Sequence, residues 1–415
     1  MRVLCATVCA VLLNASSFLA VTFGDLGEAM IDVRTLGATG DGQTDDTAAF
    51  LKAVEQGKAD GKHVFVPRGT YVLSKPIALE NVALAGPEAG AWPADVDALP
   101  SILPTHRDGP AFHLLAGGGL SGIDVTYRWQ AEPESGPPAV LISGIGAYLR
   151  NVRIRYPWDG ILTDGEHNVG RLNLENVFLV SPRNVGVRVT GTWDVPRLSN
   201  VEVWNAGPVP RGLSEGVGFQ LGKNDLIRLT DCFAFAMHYG FLLEDKIEGC
   251  KIEGGTWGVM NGCATDFCGT GIAVHGAHTL SVAGGSFWDH QTGLLVDGEG
   301  ARVRVTGSEL KSNGAPCVHV RACDHTVVSG CSLLRPMEEH KGPGVILEGG
   351  STLLGTNQLD CFGEGVKILA GVRAAVVQGN VVNPHGSTMV ADESGGTGKV
   401  QIAGNVELGE GRLRE

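Results

Sequence analysis

Three short clusters in the middle of the chain set an aromatic ring beside an acid or an imidazole. They are Trp158-Asp159, Met237-His238-Tyr239 and Trp288-Asp289-His290. Trp204, Glu215 and the pair Glu244-Asp245 add another ring and more carboxylates. This mixture suits a glycan. Sugar C–H faces pack on aromatic rings, while an acid and a base carry out proton transfers. Asp159 and Asp289 are the candidate acid and base, with His238 and His290 positioning or transferring protons. Trp158, Trp204, Tyr239 and Trp288 are the candidate sugar platform. If Asp159 and Asp289 prove too far apart for direct glycoside hydrolysis, Glu215 or Glu244 is the better partner. Each group also has a structural use. The histidines suit turns bonded to backbone, the tryptophans fill gaps between loops, and Glu244-Asp245 suits a solvated turn. His275, His278, His319 and His325 are scattered, and no metal triad emerges.

Composition narrows the partners. The 415 residues carry a net charge of −13, with 61 glycines and only 6% aromatics. An acidic chain is a poor ligand for a phosphate backbone, so nucleic acid is excluded as a partner. A polyanionic sugar would need a local basic patch working against the overall field. Of ten cysteines, Cys5 and Cys9 fall in the first apolar stretch. The other eight are expected to be small buried thiols, with a secreted disulfide framework as the alternative. Cys263 and Cys268 are a close pair without a matching second pair, which argues against zinc.

Met1 to Ala20 is apolar and resembles a secretory leader, which would make the chain secreted or periplasmic. The alternative is translation from Met30, giving a cytoplasmic protein, with residues 1–29 a leader or an extension. Residues 30–408 form the folded body and 409–415 a short tail. The oligomeric state is not legible.

These clusters sit on a repeat. An apolar residue, any residue and a turn residue, then another apolar residue two positions on, recur every 26 residues or so, about 26 being a solenoid-type period. The turn residue is Gly122, Asn151, Asn176, Asn200, Asp231, Gly249, Gly284, Gly307, Gly330, Thr356, Gly379 and Gly404. Gly, Asn and Asp tolerate the left-handed backbone of a tight corner. A second strand, Gly-apolar-x-apolar, alternates with the first at Gly160, Gly186, Gly218, Gly240, Gly271, Gly293, Gly344 and Gly365. A leucine-rich horseshoe or a propeller would need a different consensus or a longer unit. A single right-handed parallel β-helix of about eleven to thirteen coils fits, each coil adding strands about 4.8 Å from the last. Before it, Thr44 reads as the N-cap of a short helix over Asp45 to Gln56. Asp45 and Asp46 would complement its dipole, and Ala48, Phe50, Leu51, Ala53 and Val54 would cover the open end of the solenoid.

Gly40-Asp41-Gly42-Gln43-Thr44-Asp45-Asp46-Thr47, the Val66-Pro67-Arg68-Gly69-Thr70-Tyr71 strand and the coil repeat together resemble the pectate lyase superfamily. More narrowly, they resemble its rhamnogalacturonase and polygalacturonase-like branch, which shares this N-terminus with phage tailspikes. The resemblance spans roughly residues 31–408. It implies a carbohydrate-active enzyme, a glycoside hydrolase or polysaccharide lyase acting on a pectin-like polysaccharide. The alternative it leaves open is a glycan-binding or tailspike-like structural β-helix. Polygalacturonase-type hydrolases carry Asn-Thr-Asp-Gly, Asp-Asp, Gly-His-Gly and Arg-x-Lys on successive coils. Here Asp159-Gly160-Ile161 matches the tail of the first element, and Asn184-Val185-Gly186 brings no acid pair to the next coil. A lyase of this kind would imply calcium held by carboxylates, and no in-register carboxylate cluster stands out. Long connections at Ala206 to Glu215, Gly255 to Gly269 and Arg335 to Pro343 are expected to wall a groove along the Gly-strand face, running on toward Asp289.

Overall fold

The computed structural model describes residues 30–408 except 88, 91–97, 129–134, 206–214 and 336, and gives only the backbone of His290. The expected leader and tail, and most of the Ala206–Glu215 connection, lie outside the described residues.

The chain is a right-handed parallel β-solenoid of about 14 turns, slightly longer than the repeat count suggests. All the strand pairings are parallel, and each coil contributes to three faces. Face I precedes the corner residue, as in Tyr148–Arg150. Face II follows it, as in Val152–Arg155. Face III carries the Gly strands, as in Asp159–Thr163. The corner separating faces I and II has positive φ at Gly122, Asn151, Asn176, Asn200, Asp231, Gly284, Gly307, Gly330, Thr356, Gly379 and Gly404.

One corner assignment is corrected. Gly249 also has positive φ, but it lies in the connection between Tyr239–Glu244 and Thr256–Asn261. The true corner is Gly262, since Thr230 pairs with Asn261 and Asn261 with Ala283. The expected Gly255–Gly269 wall therefore does not exist. That stretch is strand, corner and strand. The Asp245–Gly255 connection instead reaches back along the solenoid, where the Lys251 and Ile252 amides donate to Gly165 O at 2.9 Å. Lys251 also pairs with Glu166 at 2.8 Å.

The position after the corner is small and buried, as at Val177, Val201, Cys232, Cys263 and Cys331. Cys263, not Cys250, holds this place. Near the C-terminus asparagines fill it, and Asn357 and Asn380 bond side chain to side chain and to backbone carbonyls. Paired this way, a buried amide avoids the cost of an unsatisfied one. All eight described cysteines are free.

The Gly column of face III stacks as the pattern requires, with Ile161 paired to Val187, Val187 to Phe219 and Phe219 to Phe241. Its glycines are there for closeness. A Cβ on Gly186 would lie 2.7 Å from Gly218 O, and one on Gly218 2.6 Å from Gly240 O.

The capping helix α1 runs Thr47–Asp60, starting later than expected. Asp46, not Thr44, is its N-cap residue, and Thr44 lies in the strand Asp41–Asp45. Asp46 accepts from the Thr39 amide at 2.7 Å, and Asp45 from Thr47 and Ser74. The acidic pair thus ties the first coils together. Ala49, Phe50, Ala53 and Val54 are buried over the open core, whereas Ala48 and Leu51 face solvent.

Candidate functional site

The regular coils alternate inward and outward residues, so one outward position per coil stacks along the whole of face II. In register, this column reads Thr126, Arg155, Val180, Trp204, Phe235, Asp266, Trp288, Lys311. Each residue is the fourth after its corner. Trp204 stacks on Phe235 with centroids 4.6 Å apart, and Phe235 meets Phe267 edge-on at 5.8 Å. Lys311 Nζ sits 4.4 Å from the Trp288 ring centroid, a cation–π pair. Trp288 is 43% and Phe267 52% exposed, which is costly for large rings unless something packs on them. Between them lies a cleft of about 290 Å³ lined by Asp266, Phe267, Trp288, Asp289, Lys311 and Asn313.

The candidate acids fare differently. Asp159 opens a face III strand at 9% exposure and accepts from Asn184 Nδ2 at 2.9 Å and the Val185 amide at 3.0 Å. Burial raises its carboxyl above the usual range. Asp289 is 2% exposed and accepts from Thr265 Oγ1 at 2.9 Å. Burial pushes it well above the usual carboxylate range. About five ladder steps, roughly 24 Å, separate the two, against the 5–10 Å or so that glycoside hydrolysis needs. They are not an acid–base pair.

Glu215 is exposed, on the coil next to His238, whose amide donates to Gly216 O at 2.9 Å. His238 meets Tyr239 edge-on at 4.4 Å. Tyr239 packs on the outward apolar patch of face III with Leu162, Val185 and Val217. Trp158 sits in the turn before Asp159, where its carbonyl accepts from Arg183 and Asn184. Glu244 lies at the far end of the face III strand and accepts from Gln220 at 2.8 Å. His290 is in a strand, and its side chain lies outside the described residues.

The structure therefore unites Trp204 and Trp288 on face II and groups His238, Tyr239 and Glu215 near the edge of face III. Trp158, Asp159 and Glu244 stand apart from both. Sequence reasoning missed Phe235, Asp266, Phe267 and Lys311, and the fourth-after-corner rule would have found all but Phe267. The described residues hold no group of three or more His, Cys, Asp or Glu able to bind a metal ion. None of the described helices is long and apolar enough to cross a membrane.

Residues 30–103 match the family described as rhamnogalacturonase A/epimerase, pectate lyase-like. A 57-residue stretch is 47% identical to the preneck appendage protein of Bacillus phage PZA. That stretch is 14% of this chain and only 6% of the phage protein. The A-module of the Azotobacter vinelandii mannuronan C-5 epimerase AlgE6 superposes with a TM-score of 0.63 at 16% identity, covering 92% of this chain and 100% of that one. The tailspike protein of E. coli bacteriophage HK620 superposes at 0.60 and 10% identity, covering 90% and 80%. The fold is that of a right-handed parallel β-helix, and its N-terminal coils resemble the pectate lyase-like family.

Proposed function

We propose that the protein binds a polysaccharide along face II, laid parallel to the solenoid axis. The observation that carries this is the in-register column Trp204, Phe235, Asp266, Trp288 and Lys311 on a rigid scaffold, half-buried except for the exposed Trp288. Rings repeated coil by coil match a ligand that is itself a repeat, and a rigid platform loses little entropy on binding. The mannuronan C-5 epimerase module among the structural neighbours supports a carbohydrate partner. The apolar Met1–Ala20 segment supports export toward such a ligand.

A second reading, cleavage or modification of that glycan, is favoured by one observation. Asp289, whose carboxyl burial pushes up, lines the same cleft as Asp266, and an acid raised by burial near a second carboxyl is the arrangement glycosidases use. The test is affinity electrophoresis of wild type and Trp288→Ala against a polysaccharide panel, with reducing ends and unsaturated products followed in parallel. Binding weakened at least tenfold by the substitution supports the platform. Equal binding by both proteins sinks it. Product formation abolished by Asp266→Asn would add the enzymatic reading.

A further inference from the structure

The edge where face III turns back into face I carries a separate group of reactive side chains, away from the aromatic column. His113 is the half-buried outward residue of the strand Phe112–Leu114, between two buried neighbours. Ser143 follows the next coil's strand, Pro138–Ile142, and its amide donates to Leu114 O at 2.9 Å. Asp164 follows the strand of the coil after that, Asp159–Thr163, and its amide donates to Ile142 O at 3.0 Å. Three coils thus bring His113, Ser143 and Asp164 to one edge. Ser143 Oγ lies 2.8 Å from His113 Nε2. Asp164 accepts from the Glu166 and His167 amides and pairs with His167 Nδ1 at 2.6 Å. Burial lowers His113 below the ordinary imidazole value; Asp164 opposes this and His167 adds to it. The ring is therefore mostly neutral at pH 7 and able to take a proton.

A pocket of about 520 Å³ opens on these groups, and its lining includes Glu80, His113, Ser143 and His167 with the apolar Leu115 and Ile145. Gly144 and Ile145 line it directly after Ser143, and among the described residues their amides donate to no carbonyl. We propose that Ser143 and His113 are the nucleophile and base of a carboxylic-ester hydrolase site. A serine hydroxyl within hydrogen-bond reach of a neutral imidazole is the arrangement that activates it. Ser143 Oγ attacks the ester carbonyl as His113 Nε2 takes its proton. The tetrahedral adduct then expels the alcohol, which leaves with that proton. Water, deprotonated by the same nitrogen, hydrolyses the acyl-serine, releases the acid and restores Ser143. The Gly144 and Ile145 amides are the donors for the oxyanion, and the field of Asp164 favours the imidazolium that forms. Charge selects the substrate class. No lysine or arginine lines the pocket, and nearby Lys58 and Lys251 are already paired with Glu80 and Glu166. A phosphate or sulfate ester finds no cation there, whereas an uncharged ester can rest its acyl chain on Leu115 and Ile145.

The test follows hydrolysis of p-nitrophenyl acetate and p-nitrophenyl butyrate by the full chain, and attachment of a fluorophosphonate probe mapped by mass spectrometry. Ser143→Ala and His113→Gln are each expected to lower kcat/KM by about a hundredfold or more. The probe should be found on Ser143 in the wild type. Since the base must be unprotonated, kcat/KM should rise with pH through a value below the ordinary imidazole pKa. Hydrolysis unchanged in Ser143→Ala overturns the assignment, as does a wild type that neither hydrolyses these esters nor takes the probe on Ser143. If the substituted proteins fail to fold, probe attachment in the wild type decides alone.

Discussion

Faces II and III are built from the same coils and turn the same number of inward side chains to one core, yet their outer surfaces have opposite characters. Face III shows a compact apolar patch of Leu162, Val185, Val217, Leu242 and Ala273, each below a tenth exposed. Its glycine column packs successive coils at backbone contact. Face II carries three rings, one guanidinium and a lysine in one column, and the cleft beside Trp288 opens on it. The difference teaches where information sits in a solenoid. The repeat is written by inward and corner residues, which every coil needs alike. Outward residues escape that demand, so a departure from monotony there points to a ligand.

The largest effect expected from breaking this contrast is at the base of face II. Asp124→Ala removes the carboxylate shared by the buried Arg153 and by Arg155, and should cost about 3–5 kcal/mol in chemical denaturation. Asp124 also sets a pH dependence. Its folded pKa is lowered, so its contribution is present above the unfolded value near 4 and is lost as pH falls through the folded one. Asp289 has the opposite sign. Its folded pKa is raised, so its share of stability is present at low pH and disappears as pH rises through the folded value. Asp289→Asn should therefore stabilise the protein at neutral pH and do little at pH 3 or so. A variant less stable at neutral pH would show that burial does not raise this carboxyl.

The inner half of this fold was legible because sterics write it. Corners demand left-handed backbone, and the Gly strand demands the absence of a Cβ, so both columns survive in plain sequence. Gly249 shows the limit. Gly249-Cys250 and Gly262-Cys263 offer the same dipeptide, and both glycines have positive φ. Local chemistry cannot separate them, but spacing can, since Gly262 divides the interval from Asp231 to Gly284 more evenly. That one slip turned a coil into a wall. Asp159 drew attention through a family motif, yet its two hydrogen bonds only bridge neighbouring coils. Burial and partner count are properties of packing, and no spacing announces them. His113, Ser143 and Asp164 come together only across coils, which hid their pocket completely.

The glycine column offers a smaller and cleaner contrast. Gly160→Ala would bring a Cβ within 2.1 Å of Leu179 Cδ2 and 2.3 Å of Gly186 O, and should destabilise by about 1–3 kcal/mol. Gly249→Ala meets nothing within 4 Å and carries only the strain of φ +80°, about 1 kcal/mol. Equal melting temperatures would mean the column is not a contact constraint. Leu162→Ala sharpens the comparison of faces, because it should lower stability by roughly 2 kcal/mol or more while leaving glycan affinity unchanged. Trp288→Ala should do the reverse.

The smallest effect concerns the thiols. Seven of the eight described cysteines are buried, and Cys250 alone is half-buried, in the connection that runs back to Gly165. A thiol reacts as its thiolate, so both access and pKa govern labelling. Burial pushes Cys317 up to about 11 and Cys361 up to about 12, so neither supplies thiolate at neutral pH while the protein is folded. Cys250 is also raised by burial, and more modestly. In native protein a thiol reagent should therefore modify Cys250 first, faster as pH rises, with the others following only on unfolding. After denaturation without reductant all eight should react. Glycan affinity should survive the Cys250 adduct, since that residue lies beside face III, away from the aromatic column. An adduct that abolished binding would place the ligand on face III and reverse the assignment of the two faces.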